Sequence, residues 1–492
     1  MTMKLTLMVA GAMLALAVPA TARAETACED LKVTKLAHAE VTSATVETLK
    51  SGAQACRVLV TSRPSKDSDI RIEVMIPLGS AWNGKFAQVG NGGLAGAIPA
   101  AAIKARAEQG YASAGTDDGH QANSRTAAWA LGHPEKIKDF GTRALKDTTD
   151  HAKALIAAQK GSGPKFSYFI GCSAGGREAL MEAQRFPHDF DGIVAGAPAN
   201  YNTLSTGGRA YIQQALAKPG AYLDLAALQL LQDSALKQCA AGGPFIRDQE
   251  ACRFDPAALR CKAGKASDCL TAPQVAAARA LYNGRPGPGG RSMFPAYTPG
   301  GEALRGGFQA WNTGESEAGI SEASGYAISN QFMKYFIYGD PAFDFLKMDL
   351  GPKYDRDRQK VAAILDATNP DLTPFRKSGG KLIQYHGWND PAIPPAGSPR
   401  YAGEMRAVMG DTASFYRLYM VPGMLHCRGG NGPGEVEWLD ILDRWVTAGE
   451  PPRTLVAKAE KSGETQLLCP YPAVAHADSK GGWACGPSKR KG

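Results

Sequence analysis

Between residues 55 and 200, short apolar runs of strand length trade places with longer stretches whose apolar positions recur every three or four residues. "ACRVLVTS" (55–62) and "IRIEVMIPL" (70–78) are β-rich runs, and "KFAQVGNGG" (85–93) is a strand entering a glycine loop. "AAIKARAEQGYASAGTDDG" (101–119) reads as a helix leading into a short strand. "DTTDHAKALIAAQKG" (147–161) carries an apolar helical stripe closed by glycine. "KFSYFIGCSAGGREALMEAQRF" (165–186) is strand, tight turn and helix, and "FDGIVAGAP" (190–198) is another buried strand. Alternation of this kind predicts a parallel sheet covered by helices on both faces.

The texture changes near residue 201. Up to about residue 370 the chain is rich in Gly, Pro and Ala, holds four cysteines, and has almost no strand-like run. The pattern then returns, with strands in "KLIQYHGWND" (381–390) and "FYRLYMVPGMLHC" (415–427) and an amphipathic helix in "GEVEWLDILDRWVTAG" (434–449). The division expected is a leader over 1–24, a first core segment over 25–200, an inserted subdomain over 201–370, and a second core segment over 371–492. The two core segments then share one sheet.

Composition narrows the class. The chain has 492 residues, 44% of them hydrophobic and 21% charged, which is a globular balance. A formal charge of +8 without a long Lys/Arg run leaves no nucleic-acid footprint. "MTMKLTLMVAGAMLALAVPATARA" has a lysine, an apolar stretch and a small-x-small ending at Ala22-Arg23-Ala24, the pattern of a secretory signal peptide. Its apolar stretch falls short of the roughly 20 residues of a membrane span. A secreted or periplasmic protein with no membrane anchor is the expectation. Ten cysteines in an exported chain favour disulfides, and no Cys-x-x-Cys pair supports zinc.

The chemistry is carried by few residues. Gly171-Cys172-Ser173-Ala174-Gly175 fits G-x-S-x-G at a strand-to-helix junction, where the turn needs small residues and exposes the serine hydroxyl. A serine hydroxyl needs a histidine oriented by a carboxylate. In the α/β-hydrolase order an acid and then a histidine follow the serine. Asp390 and His426 each stand just past a strand in that order. Cys172 precedes the serine and Cys427 follows the histidine. If Ser173 and His426 come within hydrogen-bond reach, the two cysteines also meet, and a disulfide would fix the separation of the two side chains. For the oxyanion, the N–H groups of Ala174 and of the "GNGG" loop are the candidates, Gly92 first and Gly93 next.

The motifs "GNGGLAG", "GYASAGTDDGH", "GCSAGGREAL", "FDGIVAGAPA", "CRFDPAAL", "CLTAPQV", "YHGWND", "GMLHC" and "CPYP" resemble the tannase and feruloyl esterase family, which includes bacterial mono(2-hydroxyethyl) terephthalate hydrolases. The resemblance runs over nearly the whole chain after the leader. It implies an α/β-hydrolase core with a large inserted lid, and the disulfides Cys28–Cys56, Cys239–Cys252, Cys261–Cys269 and Cys469–Cys485. It also implies serine-esterase activity on a small-molecule aromatic acyl ester, with feruloyl esters first and galloyl or terephthalate monoesters as alternatives. A reading of another class is a non-catalytic phenolic- or carbohydrate-binding protein on the same fold.

The chain departs from the family in one loop. The family's lid carries a calcium loop of the form C-D-x-x-D-G-V-x-D-G; here "CAAGGPFIRDQEAC" is shorter, and Ala240, Gly243 and Arg247 stand at the aspartate positions. Calcium takes roughly six to eight oxygens, and Asp248 and Glu250 alone fall short. No cofactor is therefore expected, and the disulfides are expected to hold the lid. For the acyl pocket, Ile393 and Trp311 are candidates, with Phe308, Tyr335 and Phe336 as further lid aromatics for which core packing is the competing role. Arg291, Arg305 and Lys334 are unranked candidates for a substrate carboxylate or phenol hydroxyl.

Overall fold

The computed structural model describes residues 25–262, 267–287, 292–293, 296–459, 462–479 and 481–489. The 1–24 leader and Arg291 lie outside them. A nine-stranded sheet organises the core, formed by β1 (Ala39–Thr48), β2 (Gln54–Ser62), β3 (Ile70–Pro77), β4 (Lys85–Val89), β5 (Ala112–Thr116), β6 (Phe166–Cys172), β7 (Gly192–Gly196), β8 (Lys381–Gly387) and β9 (Tyr416–Val421). Its order is β1-β2-β3-β5-β4-β6-β7-β8-β9. Strands of both core segments thus share one sheet.

The sheet is mixed rather than parallel throughout. β1, β2, β3 and β5 pair antiparallel, and the pairs from β5 and β4 through to β9 are parallel. The reason is in the connections. Only a short polar stretch, residues 63–69, separates β2 from β3, and it is too short for the helical crossover that a parallel neighbour needs. β1 is absent from the strands expected above, because "AEVTSATVET" has few large apolar residues and buries only one position.

Alternate side chains of the parallel strands enter two cores. Phe86, Phe169, Ile193, Leu382 and Leu418 face one side, where α2 (Ala144–Lys160), α3 (Ala174–Arg185) and α8 (Gly397–Met409) pack on them. Ala87, Tyr168, Val194, Ile383 and Tyr419 face the other, under α9 (Trp438–Ala448) with Trp438, Leu442 and Trp445. α1 (Ala100–Glu108) covers the neighbouring part of that face through Ile103 and Ala107. Such two-sided burial is why these strands read as continuous apolar runs.

Between β7 and β8 the chain builds a helical layer that includes α4 (Asn202–Leu216), α5 (Leu225–Cys239), α6 (Ala272–Asn283) and α7 (Ser324–Phe332). Among the described residues 201–370 there is no strand. α4, α5 and α6 bury their own cluster around Leu228, Leu231, Ala278, Leu281 and Phe308. Where this layer leaves and rejoins the core, the Ala367 N–H donates to the Asn200 carbonyl at 2.9 Å. A second cluster ties the layer to the core, with Phe332 and Phe336 against Leu94, Ala95 and Phe140. The ten cysteines form five disulfides: Cys28–Cys56, Cys172–Cys427, Cys239–Cys252, Cys261–Cys269 and Cys469–Cys485. All five pairs match the expectation. Beyond β9, two small hairpins form, β10 (Leu455–Lys458) with β11 (Thr465–Leu468) and β12 (Ala473–Ala477) with β13 (Trp483–Pro487).

Candidate active site

Ser173 sits between β6 and α3 with φ 67° and ψ −122°. That strained backbone is the cost of a turn with no spare residue. Its N–H donates to the Gly196 carbonyl at the end of β7, at 3.0 Å. The helix then passes so close to β7 that a Cβ on Gly176 would lie 2.2 Å from the Gly196 oxygen. This contact explains the glycine three residues past the serine better than any flexibility does.

Asp390 and His426 follow the ends of β8 and β9. His426 Nδ1 and Asp390 Oδ2 are 2.7 Å apart, and Asp390 has no exposed side-chain surface. The other oxygen, Oδ1, accepts the N–H groups of Ala392 at 2.7 Å and Ile393 at 2.9 Å. His386 adds a fourth contact, with Nε2 at 3.2 Å from Oδ2. Burial pushes the Asp390 carboxyl up, but His426 and His386, with their hydrogen bonds, outweigh it and hold the group well below the usual carboxylate range. Asp390 is therefore an anion. With Nδ1 engaged by that anion, Nε2 is the nitrogen left to exchange a proton on the other side.

Ser173 and His426 line one open cleft, together with Asn91, Gly92, Gly93, Ala97, Ile98, Pro99, Ser124, Arg125, Trp311 and Ile328. The Cys172–Cys427 bond spans its floor with a Cα–Cα distance of 6.2 Å, and Cys427, like Ser173, has a positive φ, 61°. Among the described residues no hydrogen bond joins Ser173 to His426, although both line the cleft. In free enzymes such bonds are often long and tighten when substrate binds.

Gly92 opens onto this cleft, since a Cβ built on it meets nothing within 4 Å. Ala174 is the first residue of α3, so its N–H lies outside the helix's own hydrogen bonds. Gly92 lines the same cleft as Ser173 and Ala174 follows the serine directly, which keeps both N–H groups as candidates for the oxyanion.

The acyl-pocket candidates divide. Trp311 does reach the cleft, and its ring stands 5.2 Å from the His426 ring, edge to face. Ile393 does not line the cleft. It is buried, its N–H binds Asp390, and its carbonyl accepts His386 Nε2 at 3.1 Å. Phe308 packs inside the helical layer, and Phe336 and Tyr335 belong to the cluster between layer and core. Arg305 and Lys334 do not line the cleft. Its one Lys or Arg among the described residues is Arg125, from the core, whose guanidinium also donates to the Glu322 carbonyl of the helical layer. An arginine in an exposed loop carries no sequence signal for this role. His386, at the end of β8, reads in the sequence as a histidine near the site that hydrogen-bonds loop backbone, which it does at Ile393, and not as a partner of Asp390, although its four-residue spacing to Asp390 is what brings the two side chains together.

The loop closed by Cys239–Cys252 does not fit calcium. Its Asp248 caps the short turn at Gln249–Ala251 and accepts the Ser488 hydroxyl at 2.7 Å and the Lys489 N–H at 2.8 Å. Glu250 takes the Tyr471 hydroxyl at 3.0 Å. Arg247 stacks over Phe245 and, at 4.1 Å, over Trp483, bringing positive charge to the place where a cation would need oxygens. Among the described residues no group of three or more His, Cys, Asp or Glu is placed to hold a metal ion.

The chain is similar to known proteins over most of its length. A sequence profile described as tannase and feruloyl esterase matches residues 56–490. An uncharacterized esterase of Xanthomonas campestris is 34% identical, over 92% of this chain and 89% of that protein. A mono(2-hydroxyethyl) terephthalate hydrolase of Piscinibacter sakaiensis is 31% identical, over 88% and 82%. The crystal structure of feruloyl esterase B from Aspergillus oryzae superposes with a TM-score of 0.84 at 26% identity, covering 93% of this chain and 99% of that one.

Proposed function

Because the chain belongs to the tannase and feruloyl esterase family and is therefore a carboxylic ester hydrolase, we propose that it cleaves aromatic acyl esters by way of an acyl-enzyme on Ser173. His426 Nε2 takes the hydroxyl proton as Ser173 Oγ attacks the ester carbonyl. Asp390 holds the imidazole in the required tautomer and stabilises its cation. The Gly92 and Ala174 N–H groups receive the oxyanion. His426 then protonates the leaving alcohol, and a water activated by the same nitrogen releases the acid. The observation that carries this reading is the His426–Asp390 contact at 2.7 Å beside a serine in a strained turn, all opening on one cleft.

The aromatic acyl group follows from the cleft's lining and from its relatives. Trp311 offers a ring edge, and Ile98, Pro99 and Ile328 offer apolar surface. Relatives bear the names feruloyl esterase and mono(2-hydroxyethyl) terephthalate hydrolase. Hydroxycinnamoyl esters of the feruloyl type are the first choice, and galloyl esters fit the same description. Arg125 favours a second reading, since its guanidinium matches the free carboxylate of a terephthalate monoester. The leader-like first segment and five disulfides support export. The test is hydrolysis of methyl ferulate, methyl gallate and mono(2-hydroxyethyl) terephthalate by the native protein beside Ser173→Ala. Cleavage of one of them by the native protein alone supports the reading. Cleavage of short aliphatic esters only would overturn the aromatic assignment.

A further inference from the structure

Beneath the Gly92 loop lies a group of buried charges that the reaction above does not use. Asp118, in the left-handed turn after β5 with φ 64°, and Glu178, on α3, both have zero exposure. Their carboxyl groups lie close enough in this interior for each to act on the other. Arg177 is equally buried and donates to the carbonyls of Gly141 at 3.1 Å and Phe140 at 3.0 Å. It approaches Glu178 Oε1 only to 3.8 Å.

Glu178 has a direct hold on the loop. Its Oε2 accepts the Asn91 N–H at 3.0 Å. The Asn91 amide donates to the Thr116 carbonyl at 2.7 Å, and the Asn91 carbonyl accepts the Gly175 N–H at 2.8 Å. Asn91 is thus held at three points, two of them on the helix that follows Ser173. In a trans peptide the carbonyl and the following N–H point in opposite directions. Fixing the Asn91 carbonyl therefore fixes the direction of the Gly92 N–H.

The charges do not balance if both acids are ionised. One guanidinium would face two carboxylates without water, and like charges this close do not both ionise. The hydrogen bonds identify where the proton sits. Glu178 Oε2 accepts a backbone N–H, which favours an anion. Neither oxygen of Asp118, nor Oε1 of Glu178, meets an N–H or hydroxyl donor among the described residues. The Asn91 amide gives one N–H to Thr116 and brings the other near Asp118, short of a well-formed hydrogen bond. A proton on Asp118, donated to Glu178 Oε1, supplies the missing bond to both groups at once.

We propose that Asp118 and Glu178 share one proton, and that this acid–carboxylate pair positions the Asn91–Gly92 peptide so that the Gly92 N–H meets the oxyanion. Both are positioning residues, and the role rests on the reading of Gly92 given above. Burial raises both carboxyls, Asp118 furthest; the charges of Glu178 and Asp117 push Asp118 the same way, and Arg177 opposes the rise in both.

The test uses Asp118→Asn, Glu178→Gln and the two alanine variants in the full chain. Each amide variant keeps a donor between the side chains and an acceptor for the Asn91 N–H, but removes the shared proton. Infrared difference spectra near neutral pH, native minus variant, are expected to show the C=O stretch of a protonated carboxyl for both amide variants, with kcat within about threefold of native. Glu178→Ala is expected to lower kcat on the order of 10²-fold with KM nearly unchanged, the mark of a displaced oxyanion donor, and Asp118→Ala to lower it less. No carboxyl band for either amide variant overturns the shared proton, whatever esters the protein cleaves. A band with an undiminished kcat in Glu178→Ala overturns the positioning role. If an alanine variant does not fold, the infrared spectra and the retained kcat of the amide variants decide. A native protein that is inactive on every ester refutes the function, and the infrared spectra then decide the shared proton alone.

Discussion

Replacing Cys172 and Cys427 together by alanine separates two roles for the bond between them, a general staple and a device that sets the distance from Ser173 to His426. As a staple it bridges a sequence separation of 255, and the chain-entropy relation gives its loss about 5.5 kcal/mol, near the top of the usual range. For a chain of 492 residues, unfolding entropy is about 1 kcal/mol per kelvin at roughly 2.1 cal/mol/K per residue, so the melting temperature falls by only about 5 °C. The variant thus remains folded at room temperature, where kinetics are measured. The positioning role predicts more. Ser173 and Cys427 both hold strained positive φ values, and without the bond nothing covalent opposes their relaxation. A displacement of about 1 Å at the reacting atoms costs on the order of 10²-fold in rate. The assay is steady-state ester hydrolysis beside calorimetry, with Cys239→Ala/Cys252→Ala as the comparison. That control bond spans a separation of 13, so its loss costs about 3 kcal/mol and lowers the melting temperature by about 3 °C. It should leave kcat unchanged. A Cys172/Cys427 variant that melts lower but keeps native kcat would refute the positioning argument and leave a staple.

Arg125→Gln should raise KM for mono(2-hydroxyethyl) terephthalate about tenfold, the value of one charge-assisted hydrogen bond, and leave methyl ferulate within about twofold; equal effects on both would remove Arg125 from substrate recognition. EDTA should change neither the melting temperature nor activity, because Asp248 and Glu250 are already engaged by Ser488, Lys489 and Tyr471; a fall in either that added calcium restores would contradict this. Burial pushes Asp117, Asp139 and Glu302 each up to about 6, so the folded protein holds more protons than the unfolded chain between about pH 4 and pH 6. Stability from these groups is complete below that window and lost as pH rises through about 6, while that from Asp390, whose folded value is depressed, is complete above about pH 4 and lost in acid. The melting temperature should therefore decline from about pH 4.5 to about pH 6.5, less steeply than these three groups alone would give because burial lowers His120 to about 4 and its contribution has the opposite sign, and go on falling above that while Asp118 keeps its proton; a rise across that interval would contradict the burial argument.

What is legible in the sequence follows the strength of the local constraint. The strand–turn–helix around Ser173 is dictated by sterics, so its glycines show in the primary structure. Strands buried on both faces, such as β6 to β9, announce themselves as apolar runs. β1 does not, because an edge strand of small and polar residues with exposed alternate positions looks like loop, and the strands of the C-terminal hairpins are only four or five residues long. The antiparallel half of the sheet does not show in the strands themselves, because strand direction there is set by the length of what joins them. In the site, residues held by chain connectivity are readable: Ser173, Asp390 and His426 stand at strand ends, and Cys172 and Cys427 adjoin two of them. Residues recruited by tertiary packing are not. Arg125 comes from an exposed loop, and Ile393 serves Asp390 through its backbone, which no side-chain pattern encodes. The Asp118–Glu178 pair joins two motifs 60 residues apart, and only the fold shows that they meet.

Whether Ser173 is the nucleophile is decided by covalent labelling with a fluorophosphonate followed by peptide mapping. One adduct per chain is expected, on Ser173, absent from Ser173→Ala and strongly slowed in His426→Ala. An unreactive native protein, or an adduct on any other residue, would rule out the Ser173 acyl-enzyme.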